Sequence, residues 1–179
     1  LNTIEKESKQ KDISNKKVIN KPELISYTKG EIINLPDKIN KIIDLNNHYS
    51  FGINKVNSIL YSILFIIDNK FKLSDDKEQG RLVEQMIDML HENLAKFYKD
   101  NKYSKKGLKK VNMEKCLKER FVDECFFLYI SDFLNINIIF IDIVDESYDL
   151  VKPFNDSLKN VVLIKHLIKD DTYYLPLLN

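Results

Sequence analysis

The chain has 179 residues, 44% of them hydrophobic, which suffices for the core of one domain and excludes broad disorder. Its 28 basic and 27 acidic residues leave a formal charge of +1, which disfavours a uniformly basic nucleic-acid binder while allowing local patches. Only four glycines are present, which argues against Gly-rich nucleotide-binding loops, and no apolar run reaches the ~18 residues of a membrane span.

Residues 1–20 read as a polar, charged arm. In 21–50, Pro22 and Pro36 interrupt the chain, and Pro36-Asp37 looks like a short helix start with Ile39, Ile42 and Ile43 on one face. Residues 1–50 are therefore expected to be an extended arm and linker, a candidate interaction segment lying across a main domain at 51–179. The first strong signal is 56–67, where Val56, Ile59, Leu60, Ile63, Leu64 and Ile67 recur at helical steps, with Asn57 or Ser58 as N-cap. A polar loop is expected over 68–80. A second helix follows from Gly80 to about 99–101, and then a lysine-rich loop at 99–110. A third helix is expected from about Asn112 to Leu134, apolar on most sides. The period then changes. Ile136, Ile138, Ile139, Phe140, Ile141 and Ile143 form a β-branched run. Further strands are expected around Tyr148 and Leu150, over 161–168 and over 172–177, with a tight turn at 169–171. Pro176 suggests an edge or a strand end. Helices segregated from strands give α+β, with N-terminal helices packed on a mostly antiparallel sheet of about four or five strands.

This order resembles the ovarian-tumour-type (OTU) deubiquitinases, a papain-like group, over roughly residues 50–179. Asn57-Ser58-Ile59-Leu60-Tyr61-Ser62-Ile63 is similar to the N-C-L-F-R-A-I helix start of that family. Residues 133–142, FLNINIIFID, are similar to its first long strand, and Val161-Val162-Leu163-Ile164 to its penultimate one. Tyr173-Tyr174-Leu175-Pro176-Leu177 resembles its H-Y-x-P-L end. The resemblance implies a cleft between a helix start and a strand, with Asn57, Ser58, Tyr61, Tyr173 and Tyr174 as its binding residues.

Catalysis in such a cleft needs a thiolate at a helix N-terminus, a histidine within reach, an oxyanion hole and a polar group that orients the histidine. The matching positions here have lost these groups. Ser58 stands for the cysteine, Tyr173 for the histidine, and Lys55-Val56 for the preceding Asp-Gly. A hydroxyl without a base is a poor nucleophile, and a phenol cannot act as the base near neutral pH. The resemblance thus implies a fold kept and a chemistry lost. A single engineered Cys-to-Ser change would account for Ser58 but not for Tyr173 or Lys55.

Other chemistry has weaker support. Cys116 and Cys125 are nine residues apart, not on one helical face, and read as two reduced core thiols. His91 reads as a helix surface residue. His48 and His166 are the fallback bases, His48 for Ser58 and His166 for a cysteine. Asp75-Asp76 and Asp170-Asp171 read as solvated turns. Asp142, Asp145, Glu146 and Asp149 read as an acidic strand edge kept from aggregating. No metal site and no cofactor are expected.

Lys, Asn and Ile crowd the chain, and Arg81 and Arg120 are its only arginines, so the lysine content is assigned to AT-rich codons, as in large DNA viruses. The start at Leu1 rather than Met suggests a fragment or a processed product. The expected function is a catalytically inactive OTU-like module of protein interaction or structure, in a viral particle or replication assembly, located in the host cytoplasm or the virion. Its partners would be proteins, ubiquitin among them, bound through the arm and the degenerate cleft. Nucleic acid is disfavoured and no membrane insertion is expected. One alternative is an active ubiquitin-directed or other hydrolase with rearranged groups. A second is a nucleic-acid accessory module using the lysines of 99–118.

Overall fold

In the computed structural model the described residues are 32–33, 35, 37–44, 46–53, 55–151, 154–168 and 171–179. The arm expected at 1–20, the three prolines at 22, 36 and 153, and the turn residues 169–170 lie outside them.

Two short strands open the described chain, β1 (Ile32–Ile33) and β2 (Tyr49–Phe51), with a 3-10 turn Asp37–Lys41 between them. Residues 32–33 and 49–50, expected as linker, are therefore strand residues of the sheet. Helix α1 (Ser58–Ile67) follows the apolar run closely. The polar loop expected over 68–80 is instead helical. Asp68 accepts from the amides of Lys70 and Phe71 and caps α2 (Asn69–Leu73). Asp75 accepts from the Glu78 amide at 2.9 Å and caps α3 (Asp76–Asp100). Phe71, buried between hydrophilic neighbours, anchors this segment to the core. Asp75, exposed as expected, is thus a helix cap rather than a turn residue.

The single helix expected over 112–134 is in fact three pieces. Helix α4 (Lys110–Lys118) ends, Arg120 turns the chain at φ 58°, a short 3-10 turn Glu124–Phe126 follows, and α5 (Phe127–Leu134) resumes. A non-glycine residue at positive φ cannot continue a right-handed helix. Asp123 then caps the new turn by accepting the Cys125 amide.

The strands β3 (Ile136–Asp142), β4 (Ser147–Leu150), β5 (Lys159–Ile168) and β6 (Asp171–Leu178) complete a six-stranded sheet in the order β1-β2-β6-β5-β3-β4. Every neighbouring pair is antiparallel except β3 and β5. Because β4 takes one edge of β3 as a hairpin, the returning β5 can pair only with the other edge, and it does so in parallel. Strand β6 is interior, with β5 on one side and β2 on the other. Pro176 therefore lies not at a sheet edge but near the end of an interior strand, the second of the two expected placements, and its carbonyl accepts the Ser50 hydroxyl at 2.7 Å.

Alternation along the strands separates two hydrophobic clusters. Ile136, Ile138, Val161, Leu163 and Tyr174 pack against Ile59, Leu60 and Ile63 of α1, Ile87, Leu90 and Leu94 of α3, and Phe126, Tyr129 and Ile130. On the opposite face, Ile141, Ile164, Leu175 and Leu177 pack with Ile39 and Ile53. No helix among the described residues is long and apolar enough to cross a membrane.

Candidate functional site

The N-terminus of α1, the segment 121–124 and the start of β6 enclose a cleft of about 390 Å³. Asn57, Ser58, Tyr173 and Tyr174, four of the five expected binding residues, all line it, together with Lys55, Phe121, Asp123 and Glu124. The fifth, Tyr61, lines a neighbouring apolar groove of about 550 Å³ with Tyr49, Phe51, Phe65 and Phe71. Lys55 borders both spaces.

Asn57 occupies the position before α1 but does not cap it with its side chain. Its backbone is left-handed, at φ 64° and ψ 34°, a conformation that asparagine tolerates better than most residues. The side chain reaches across the cleft instead. It donates to the Arg120 carbonyl at 2.9 Å and accepts from the Val122 amide at 2.8 Å. Arg120 is held on its other side by α3, where its Nε donates to Glu84 at 2.6 Å and its guanidinium also pairs with Asp88. The cleft wall at 120–122 is thus fastened between α1 and α3.

Asn57 is the N-cap residue through its backbone, and Ser58 is the first residue of the helix. Its Oγ accepts the buried amide of Tyr174 at 3.0 Å. Four residues on, the Ser62 hydroxyl donates to the Tyr174 carbonyl at 2.6 Å. Residues four apart share one helix face, so the pair grips both polar groups of a single strand residue. In an antiparallel ladder those two groups point the same way, here away from β5. Strand β2 pairs only with Leu177 and Leu178, so the serines satisfy Tyr174 where no neighbouring strand reaches it.

Tyr173 lies directly opposite His166 in the β5–β6 ladder. Its ring packs against the second cluster, and the residue also borders the cleft. The partner that Ser58 meets is therefore Tyr174, not Tyr173. The Tyr174 ring lies against Phe127 edge to face at 5.0 Å, and burial, followed by the nearby Glu124 carboxylate, raises its phenol above the ordinary value.

None of the histidines lines the cleft. His48 has its Nδ1 2.8 Å from the Asp44 carbonyl, His91 is exposed on α3, and His166 is buried on β5. Burial lowers the pKa of His166. Ile164 shares its strand face, whereas Cys116 packs against the cluster on the opposite face. The thiols are not core residues, since Cys116 is half-buried and Cys125 exposed. Both are shifted away from the reactive thiolate. Desolvation, followed by Asp123 and Glu119, raises Cys116, and desolvation of the covered side of Cys125, ahead of Asp123, raises that thiol. Among the described residues no group of three or more His, Cys, Asp or Glu side chains is arranged to hold a metal.

Sequence reasoning missed Arg120 and Ser62. The Ser58–Ser62 spacing was the only local signal for the grip on β6, and nothing local marked Arg120 as the break in a helix. No family model matches the chain, and no curated protein matches it in sequence.

Proposed function

We propose that this chain is a catalytically inactive, OTU-like domain that works as a protein-interaction module, with the cleft between α1, residues 121–124 and β6 as its binding surface. The reading rests on how the Ser58 oxygen is used. It is buried and engaged as the acceptor of the Tyr174 amide, and no imidazole or thiol lines the cleft beside it. A hydroxyl held this way has no base beside it to take its proton. The exposed rim, with Phe121 at 44% and Val56 at 73% exposure, supplies apolar contact area flanked by charge. The family name rests on the ordered motif resemblance, and the viral setting, host cytoplasm or virion, on the codon-biased composition.

The test is incubation with di-ubiquitin and with a ubiquitin-derived electrophilic probe. No cleavage and no adduct are expected, from the native chain or from Ser58→Cys, which restores a thiol but no base. Cleavage or labelling by the native chain would sink the inactive reading. Titration of labelled ubiquitin against the native chain and Phe121→Ala tests the binding half. Weaker binding by the variant is expected if ubiquitin is the partner.

A further inference from the structure

The near-zero net charge conceals two opposed poles. The segment 99–110 holds six lysines and, in Asp100, a single carboxylate. Lys102, Lys105, Lys106 and Lys109 are exposed. The loop is held in a defined place. Its Tyr103 is buried, donates to Asp132 at 2.8 Å and so pins the lysines beside the last turn of α5. Lys106 lies over the Tyr103 ring at 5.6 Å.

Helix α5 leads through Asn135 into β3, whose seven residues carry the chain away by about 20 Å at ~3.3 Å each. At the far end is the β3–β4 hairpin, where 142–149 holds Asp142, Asp145, Glu146 and Asp149, of which Asp142 is met by Lys165 of β5 at 3.7 Å. Asp145, Glu146 and Asp149 are exposed. Apolar surface is exposed with them, Val144 at 56% and Tyr148 at 62%. Strand β4 is also the last strand of the sheet, with no neighbour on its outer side among the described residues. The edge is open beside exposed apolar side chains, and its carboxylates, which repel a second copy of the same edge, select a basic partner.

We infer that this hairpin is an interaction surface for the lysine loop of a second copy of the same chain. The lysine loop supplies the complementary charge, sits at the opposite end, and is presented rigidly by Tyr103. A contact between two different patches at opposite ends is heterologous, so copies add head to tail into open chains rather than closing as a dimer. Tyr148, 62% exposed, is accessible to an incoming ammonium, and the acidic turn neutralises the rest. This inference is independent of the proposed cleft function.

The experiment is sedimentation velocity on the full chain over a range of concentrations, at about 20 mM and about 0.5 M salt, since exposed charge pairs are screened within a few ångströms at the higher value. Concentration-dependent growth in mass is expected at low salt and its loss at high salt. The variant Lys102→Glu/Lys105→Glu/Lys106→Glu and the variant Asp145→Lys/Glu146→Lys/Asp149→Lys should each lower self-association at least about tenfold. Mixing the two variants should restore association between them, as should one chain carrying all six changes, which separates lost complementarity from lost folding. A monomer at every concentration and salt, association that persists in either single-pole variant, or no rescue on mixing would each overturn the inference.

Discussion

Asn57 carries three demands at once: a left-handed backbone, a donor for the Arg120 carbonyl and an acceptor for the Val122 amide. Asn57→Ala removes both bonds and leaves a Cβ at positive φ, so it should destabilise the fold by about 2–4 kcal/mol. Asn57→Gly loses the same bonds but relieves the backbone, and should cost about 1 kcal/mol less. Urea titrations of the two variants check the order. Ser58 and Ser62 make a second residue-scale comparison. Ser58→Ala leaves the buried Tyr174 amide without its acceptor, at about 1–3 kcal/mol. Ser62→Ala leaves only a carbonyl, which tolerates under-satisfaction better, so it should cost less. The reverse order in denaturant midpoints would contradict the grip assigned to the pair.

At the scale of elements, the break between α4 and α5 makes the cleft. A continuous helix over 112–134 would leave no wall at 120–124. Apolar periodicity runs through this region on both sides of the break, so pattern alone joins what the fold separates. The interruption depends on partners 32 to 65 residues away, Glu84, Asp88 and Asn57, which no local window contains. These partners do not contribute equally. The Arg120 ion pairs with Glu84 and Asp88 have side chains 37% to 59% exposed, so Arg120→Ala should cost only about 0–1 kcal/mol, less at high salt. Asn57→Ala should exceed it. A larger loss for Arg120→Ala, measured in the same titrations at low and high salt, would show that the pairs and not the asparagine hold the wall. The opposite case is 68–80, where the aspartate caps at Asp68 and Asp75 were local and present in the sequence but were read as loop polarity.

At the scale of the molecule, β5 and β6 lie inside the sheet and carry residues of both clusters. Their amides should exchange slowest with solvent, and those of β4, all four of whose residues are exposed, among the fastest in the sheet. Buried His166 gives the fold a pH dependence. Its folded pKa lies below the unfolded value of 6.5, so below that pH the unfolded chain takes up a proton that the folded chain resists. The contribution of His166 is full above pH 6.5 and is lost as pH falls through the folded pKa. Urea stability measured downward from neutral pH should show this decline, and His166→Gln should flatten it.

The α+β class and the passage from helix to strand near Asn135 were determined by the sequence alone, because the apolar period changes from helical steps before Leu134 to a β-branched run after Asn135, and such periods are local. That Ser58 carries a hydroxyl and Tyr173 a phenol was equally legible, since it is a matter of residue identity. Only the tertiary structure decided what those positions do. The face of a strand depends on its pairing register, which turns Tyr173 toward His166 and presents the Tyr174 amide to Ser58. It also decided the interior place of Pro176, the parallel run of β5 beside β3, and the separation of lysine and carboxylate to opposite ends. Each of these is set by contacts between residues far apart in the chain.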